Sequence, residues 1–374
     1  MIPWNLFYSL LSSSWLSSYI LSPLTFHSNN LSSDTCFGQA ATLQDVVSCH
    51  LKYVVETRYT EQTYTAAQPT PEQRQAWSTT VSTLLHVDGN CTDIAASIPT
   101  PLQGLYTIFE LTEPSGRSFC IFAETVTECD TEYEKGWGIL VVPATRKAVS
   151  RHVHIAAPHP LYDLGTEQQA ASVFKSIGAK SLYIPGRMRL AFPQLTPCVQ
   201  STIKSKYYKT DPAHDKNANG GCPAASCAYV QFHGKGPSTC RSDHIFISTG
   251  LGRDKASREW YTNNTNYPVK RLKSQLSSVF PSWTISLPTD STCLLTATKN
   301  IVGRLINGVP ERKVCREAAS AASASGEFVH MEQAKISRSP KFYGHWTRGL
   351  LAAFETTCAG GMQKDNVTGL CIAM

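Results

Sequence analysis

The chain has 374 residues, a formal net charge of +6 and a hydrophobic content of 42%. That apolar fraction can supply a full core, so the composition excludes a disordered chain, and the length suits one large domain or two smaller ones. The charge is modest and spread along the chain, with no basic run interleaved with aromatics, which argues against a nucleic-acid partner.

Thirteen cysteines point to disulfides and an oxidising compartment. The number is odd, so at least one thiol is unpaired or pairs between chains, and spacing alone does not fix the connectivity. Four sequons, at Asn30, Asn90, Asn263 and Asn366, agree with a secreted glycoprotein.

In chain order, Leu6 to Leu24 is apolar and aromatic but broken by serines, and no Lys or Arg precedes Lys52. A signal peptide over 1–28 is the first reading, a misassigned start the second and a membrane anchor the third. No later stretch is long and apolar enough to span a bilayer. Residues 33–99 read as a helical N-terminal extension, with helical patterns over Leu43–Arg58 and Pro71–Leu85. Asp45, Glu56 and Glu72 there read as solvated helix positions.

Residues 100–374 read as an α/β domain. Leu105–Leu111 and Ser118–Ala123 flank a hairpin turn at Glu113-Pro-Ser-Gly116, and Trp137–Val142 is a further apolar run. A strand over Val149–Ala156 then leads through His159, Pro160 and Asp163 to a helix. Thr166 is its expected N-cap, Gln169 completes a capping box, and Gly178 ends it. Ser181–Ile184, Ala228–Phe232, Ile245–Ile247 and Phe328–Glu332 read as strands; Tyr267–Phe280 and Trp346–Phe354 read as helices. In open α/β sheets the chemistry sits where strands end.

His159 with Asp163, Asp211 with His214, His233, and Glu332 each lie at or just beyond such an end. A hydrolytic zinc site needs three His, Asp or Glu ligands and a fourth position for water. It also needs a carboxylate, not itself a ligand, to take the water's proton and deliver it to the leaving group. His159, Asp163 and His233 meet the first requirement, and Glu332 meets the second. His214 is the rival third ligand. Arg187, Arg189, Lys235 and Arg241 are candidate binders of an anionic substrate, with Asp211 orienting one of them and His214 helping to stabilise an oxyanion.

His159-Pro-Leu-Tyr-Asp163-Leu-Gly-Thr-Glu167 resembles the first metal motif of the zinc-dependent exopeptidase and amidohydrolase fold group. That group includes zinc carboxypeptidases, N-formylglutamate amidohydrolases and poly-γ-glutamate hydrolases. The last of these also follow the acidic residue with a Gly-Thr that opens a helix, as Gly165-Thr166 does here. Gln231-Phe-His233-Gly resembles the later strand-terminal His, and Phe328-Val-His-Met-Glu332 the late strand bearing the catalytic glutamate. The order along the chain matches from about Leu102 to Phe354. The chain departs from the pattern in using Asp as the acidic ligand and in spacing it four residues from His159. Between the ligand motifs the family's Asp-Leu-Asn-Arg type segment is represented only by Asp211-Pro-Ala-His214.

The resemblance implies a mixed central sheet flanked by helices, of the zinc-exopeptidase or phosphorylase/hydrolase-like kind. It implies a Zn2+-dependent hydrolase of amide or peptide C–N bonds, acting on a small-molecule or peptide substrate. Plainer roles compete with these: His159 as a turn residue, His233 as a strand-end histidine, Glu332 as a salt-bridge partner of Arg187 or Arg189. His152 and His154 read as structural, and His330, on the face of Glu332, as a supporting residue. A serine hydrolase is disfavoured by the missing Gly-x-Ser-x-Gly elbow. The remaining alternative is a non-catalytic extracellular glycoprotein that retains a hydrolase fold, and Glu332 is the residue that separates the two.

Overall fold

The computed structural model describes residues 35–195 and 228–374. The Leu6–Leu24 segment, the Asn30 sequon, and Asp211 and His214 lie outside the described residues. The helical N-terminal region comprises α1 (Leu43–Tyr53), α2 (Glu61–Ala67), α3 (Pro71–Leu84) and α4 (Cys91–Ala96). Thr42, Thr60 and Thr70 close capping boxes on the first three, so each start is set by its own sequence.

The centre is a nine-stranded mixed sheet, in which β1 (Tyr106–Thr112), β2 (Ser118–Glu124) and β3 (Ile139–Pro143) form an antiparallel run. Then come β4 (Arg151–Ala156), α5 (Thr166–Ile177), β5 (Ala179–Ile184), β6 (Ala228–Gly234) and β7 (Ile245–Ser248). After α6 (Lys255–Thr262) and α7 (Pro268–Val279) the sheet is completed by β8 (Ile285–Ser286) and β9 (Phe328–Gln333), with α8 (Ile301–Ile306) between them. Spatial order is β1-β2-β3-β5-β4-β6-β9-β7-β8. β5, β4, β6 and β9 are mutually parallel neighbours. The chain ends with α9 (Tyr343–Ala353) and a small hairpin, β10 (Met362–Lys364) with β11 (Cys371–Ala373).

The sheet is covered on both faces, which is why its central strands are apolar throughout rather than alternating with polar residues. On β3, Ile139 and Val141 enter one core while Leu140 and Val142 enter the other. The first core receives α1, α5, α6, α7 and α9 through Leu43, Phe174, Trp260, Leu272 and Trp346. The second receives α3 and α4 through Trp77 and Ile94. Residues 33–99 therefore supply helices to both layers. On the second face near β4, β6 and β9, Val302 of α8 packs on Ala156, Tyr229 and Phe328.

The hairpin at Glu113–Gly116 forms as expected, with Gly116 at φ 80 and Thr112 paired with Ser118. The capping box expected at Thr166 does not form. Gly165 is the N-cap of α5 at φ 89, a left-handed conformation that places Thr166 inside the helix. The Glu167 carboxylate accepts from the backbone N–H groups of Leu161 (2.7 Å) and Gly165 (3.1 Å). Gln169 is drawn across the core, where its Nε2 donates to Gln333 Oε1 at 2.9 Å.

Four cysteine pairs lie at disulfide distance: Cys36–Cys49, Cys91–Cys120, Cys240–Cys293 and Cys358–Cys371. Cys129 is free and exposed. Asn90, Asn263 and Asn366 are exposed. Among the described residues no helix is long and apolar enough to cross a membrane.

Arg151 anchors the C-terminal segment to the sheet. It is buried, and its guanidinium donates to Ile177 O (2.9 Å), Phe354 O (3.0 Å) and Thr356 Oγ1 (3.1 Å). Burial pushes its pKa down to about 10, so it stays charged at neutral pH. Arg151→Met strands these acceptors in the interior and should cost roughly 3 kcal/mol or more. Urea unfolding measures this; an unchanged midpoint would show that Arg151 holds nothing.

Candidate metal centre

The parallel strands β4, β6 and β9 all end at the same edge. β4 has β5 on one side and β6 on the other, so successive connections leave it in opposite directions. Such a switch point opens a crevice beyond the strand ends. His159 follows β4, His233 sits at the end of β6, and Glu332 lies near the end of β9.

The loop after β4 forms one helical turn. Asp163 N–H donates to His159 O at 3.0 Å, and Thr166 N–H to Asp163 O at 3.1 Å. A spacing of four on such a turn puts both side chains on one side. Leu161 within this turn takes φ 61, a strained value for a non-glycine residue. It is held there by the bond from its N–H to Glu167.

His159 Nδ1 lies 2.9 Å from Asp163 Oδ2, His233 Nδ1 lies 3.2 Å from His159 Nδ1, and His233 Nδ1 lies 3.4 Å from Asp163 Oδ2. All three residues are buried. A tetrahedral ion with bonds of about 2.0–2.1 Å separates its ligand atoms by about 3.3–3.4 Å, so the triangle fits such an ion with small adjustments. Two imidazole nitrogens and one carboxylate oxygen also make a donor set suited to zinc.

Register places Glu332 directly beside His233, and His330 beside Gln231, on one face of the sheet. His330 Nε2 is 3.6 Å from Glu332 Oε1. His233, His330 and Glu332 form a second group with metal-competent atoms close together, adjoining the first through His233. A third group, Cys240, Asp243 and Cys293, is committed elsewhere, because its two sulfurs bond to each other.

Electrostatics separates the two carboxyls. Burial opposes ionisation of Asp163, but His159 and His233 outweigh it and hold its carboxyl well below the usual range. Glu332 is pushed up to about 8, chiefly by burial and then by the negative charge of Asp163, against the opposing pull of His159, Arg189 and Lys235. One carboxyl is therefore fixed as an anion while its neighbour holds a proton in the metal-free protein.

The cationic candidates divide. Arg189 stacks over the Tyr162 ring at 4.9 Å and acts on Glu332, which places it at the crevice. The Lys235 amine donates to Thr239 O (3.1 Å) and Cys240 O (3.0 Å), shaping its own loop within electrostatic reach of Glu332. Arg187 donates to Lys135 O (2.8 Å) and Ala67 O (3.0 Å) and lies against Tyr59 and Tyr64. It is committed to the N-terminal helical segment rather than to the triad. Arg241 is exposed in the turn after Cys240.

Sequence reasoning missed Arg338. Its Nη1 donates to Leu164 O at 2.8 Å, and its charge acts on Asp163, Glu167 and Glu332. A Cβ on Gly234 would collide with this guanidinium, which explains a glycine at the end of β6. The signal was the cationic residue shortly after the Glu332 strand. Gln231 and Asn300 were missed as well; they share a hydrogen bond of 2.8 Å behind His233.

Compared with protein-family models, with curated proteins and with solved structures, the chain matches none.

Because folding raises the pKa of Glu332, the folded state keeps a proton that the unfolded chain releases near pH 4.3. This contribution to stability is complete below that pH and is lost as pH rises toward about 8. In metal-free protein Glu332→Gln should flatten the fall in stability between pH 5 and 8 by up to about 1.4 kcal/mol per pH unit. Urea titrations at four pH values measure it; parallel wild-type and variant curves would mean that Glu332 ionises normally.

Proposed function

We propose that this protein is a secreted, zinc-dependent hydrolase of amide or peptide C–N bonds. In this reading its fold is of the zinc-exopeptidase or phosphorylase/hydrolase-like kind. The observation that carries it is the convergence of His159 Nδ1, Asp163 Oδ2 and His233 Nδ1 within 3.4 Å of one another, with Glu332 paired beside His233. The mixed sheet supports the fold, because its parallel strands bring these residues to one edge. The disulfide-distance pairs support secretion.

His159, Asp163 and His233 would hold the ion. Zinc, when bound, supplies Lewis acidity that lowers the pKa of a water and polarises a carbonyl. With two positive charges at the triad, the Glu332 carboxyl gives up its proton at a lower pH and becomes available as a base. Glu332 then accepts a proton from the attacking water as the oxygen–carbon bond forms. It returns that proton to the departing nitrogen as the carbon–nitrogen bond breaks. Arg338, Arg189 and Lys235 give the crevice a positive field that stabilises oxyanion charge and favours an anionic small-molecule or peptide substrate. Tyr162 and Leu164, 47% and 61% exposed, offer apolar contact beside it.

Glu332→Gln should keep zinc and fold and lower hydrolysis by about 10²–10⁴-fold, since the amide preserves shape but accepts no proton. A panel of N-acyl amino acids, C-terminal dipeptides and γ-glutamyl peptides finds the wild-type substrate first. Equal cleavage by wild type and variant would refute the mechanism. Loss of zinc from the variant would make Glu332 a ligand.

A further inference from the structure

We infer that Asn300 and Gln231 are positioning residues that fix the tautomer of His233, so that its Nδ1 presents a bare lone pair to the triad. The inference rests on the zinc reading for its purpose, but its structural content stands on hydrogen bonds alone. The chain of reasoning starts at a backbone amide. The Gly303 N–H, in the first turn of α8, donates to Asn300 Oδ1 at 2.9 Å. A backbone N–H only donates, so the atom facing it must be the Asn300 oxygen. The Asn300 nitrogen is thereby directed at Gln231, where Nδ2 donates to Oε1 at 2.8 Å.

That fixes the orientation of Gln231 in turn. Its oxygen faces Asn300, while its amide nitrogen serves the Tyr229 hydroxyl, whose ionised form it stabilises against a larger effect of burial. The same Oε1 lies 3.1 Å from His233 Nε2. An amide oxygen only accepts, so the proton of neutral His233 sits on Nε2 and its Nδ1 is unprotonated. Nδ1 is the atom that faces His159 and Asp163. Asn300, Gln231 and His233 are each 1% exposed, so no bulk water exchanges these roles.

The opposite tautomer would aim an N–H at Asp163 Oδ2, 3.4 Å away, and fill the place of the ion with a proton. The relay removes that competitor in advance. An outer hydrogen bond that orients a ligand histidine typically controls metal affinity by 10–100-fold. A merely structural hydrogen bond would tolerate reversal of its direction; this relay would not.

Asn300→Asp reverses it. The new carboxylate keeps an oxygen for Gly303 N–H but presents an acceptor to Gln231. Gln231 then turns its NH2 outward to both neighbours, and His233 must accept at Nε2 and carry its proton on Nδ1. Gln231→Glu accepts from both sides and preserves the original direction. The direct readout is 15N NMR of histidine-labelled, metal-free protein at pH 7.5, with His233→Gln to assign the signal. Wild type and Gln231→Glu should show the Nε2–H tautomer and bind zinc alike. Asn300→Asp should show Nδ1–H and bind zinc about 10–100-fold more weakly. Nδ1–H or doubly protonated His233 in wild type overturns the relay, as does an unchanged tautomer in Asn300→Asp. If Asn300→Asp fails to fold, the wild-type tautomer and Gln231→Met, which removes the acceptor, decide the matter. Gln231→Met retaining a pure Nε2–H signal would contradict the relay. Wild type that shows Nε2–H but takes up no zinc overturns the zinc reading alone.

Discussion

The parallel register of β6 against β9 is the constraint on which the site depends. It sets His233 opposite Glu332 and Gln231 opposite His330. A slip of one residue would exchange the faces of β9, burying Met331 in the crevice and sending Glu332 into the apolar core. The register is held by what lies on the other face, where Val230, Phe232, Val329 and Met331 are all buried. The crevice is thus specified by residues that take no part in its chemistry.

Placing Asp163 and Glu332 near each other in a buried crevice creates a conflict that the structure resolves unevenly. Asp163 has two imidazoles within 3.4 Å and ionises; Glu332 has one, at 3.6 Å, and is left with burial and a neighbouring negative charge. Two like groups with separated pKa values are a common arrangement where one binds and the other moves protons. Arg338 closes the same balance from outside the triad. Its charge acts on Asp163, Glu167 and Glu332 together, and Gly234 leaves room for it.

The features legible in the sequence were those with a local cause. His159 and Asp163 are joined by one turn, and the apolar runs before His233 and through Phe328–Met331 mark strands whose ends carry the polar residues. The capping box at Thr166 had equally good local grounds and was overridden by Gly165, whose left-handed backbone moved the helix start by one residue. The relay behind His233 was not legible, because Gln231 and Asn300 are 69 residues apart and neither belongs to a motif. Arg187 shows the reverse case. Its charge near a strand end suggested a substrate contact, but tertiary packing offered it the carbonyls of Lys135 and Ala67. Proximity to a strand end proposes candidates; only packing assigns them.

The central claim is that His159, Asp163 and His233 form one metal centre. X-ray absorption at the zinc edge, on metal-free protein reconstituted with an equal amount of zinc, tests it most directly. The account predicts tight uptake of about one ion and a shell of nitrogen and oxygen at about 2.0–2.1 Å with imidazole scattering, abolished by His159→Ala or His233→Ala. Sulfur scattering near about 2.3 Å, or uptake that survives both substitutions, would contradict it.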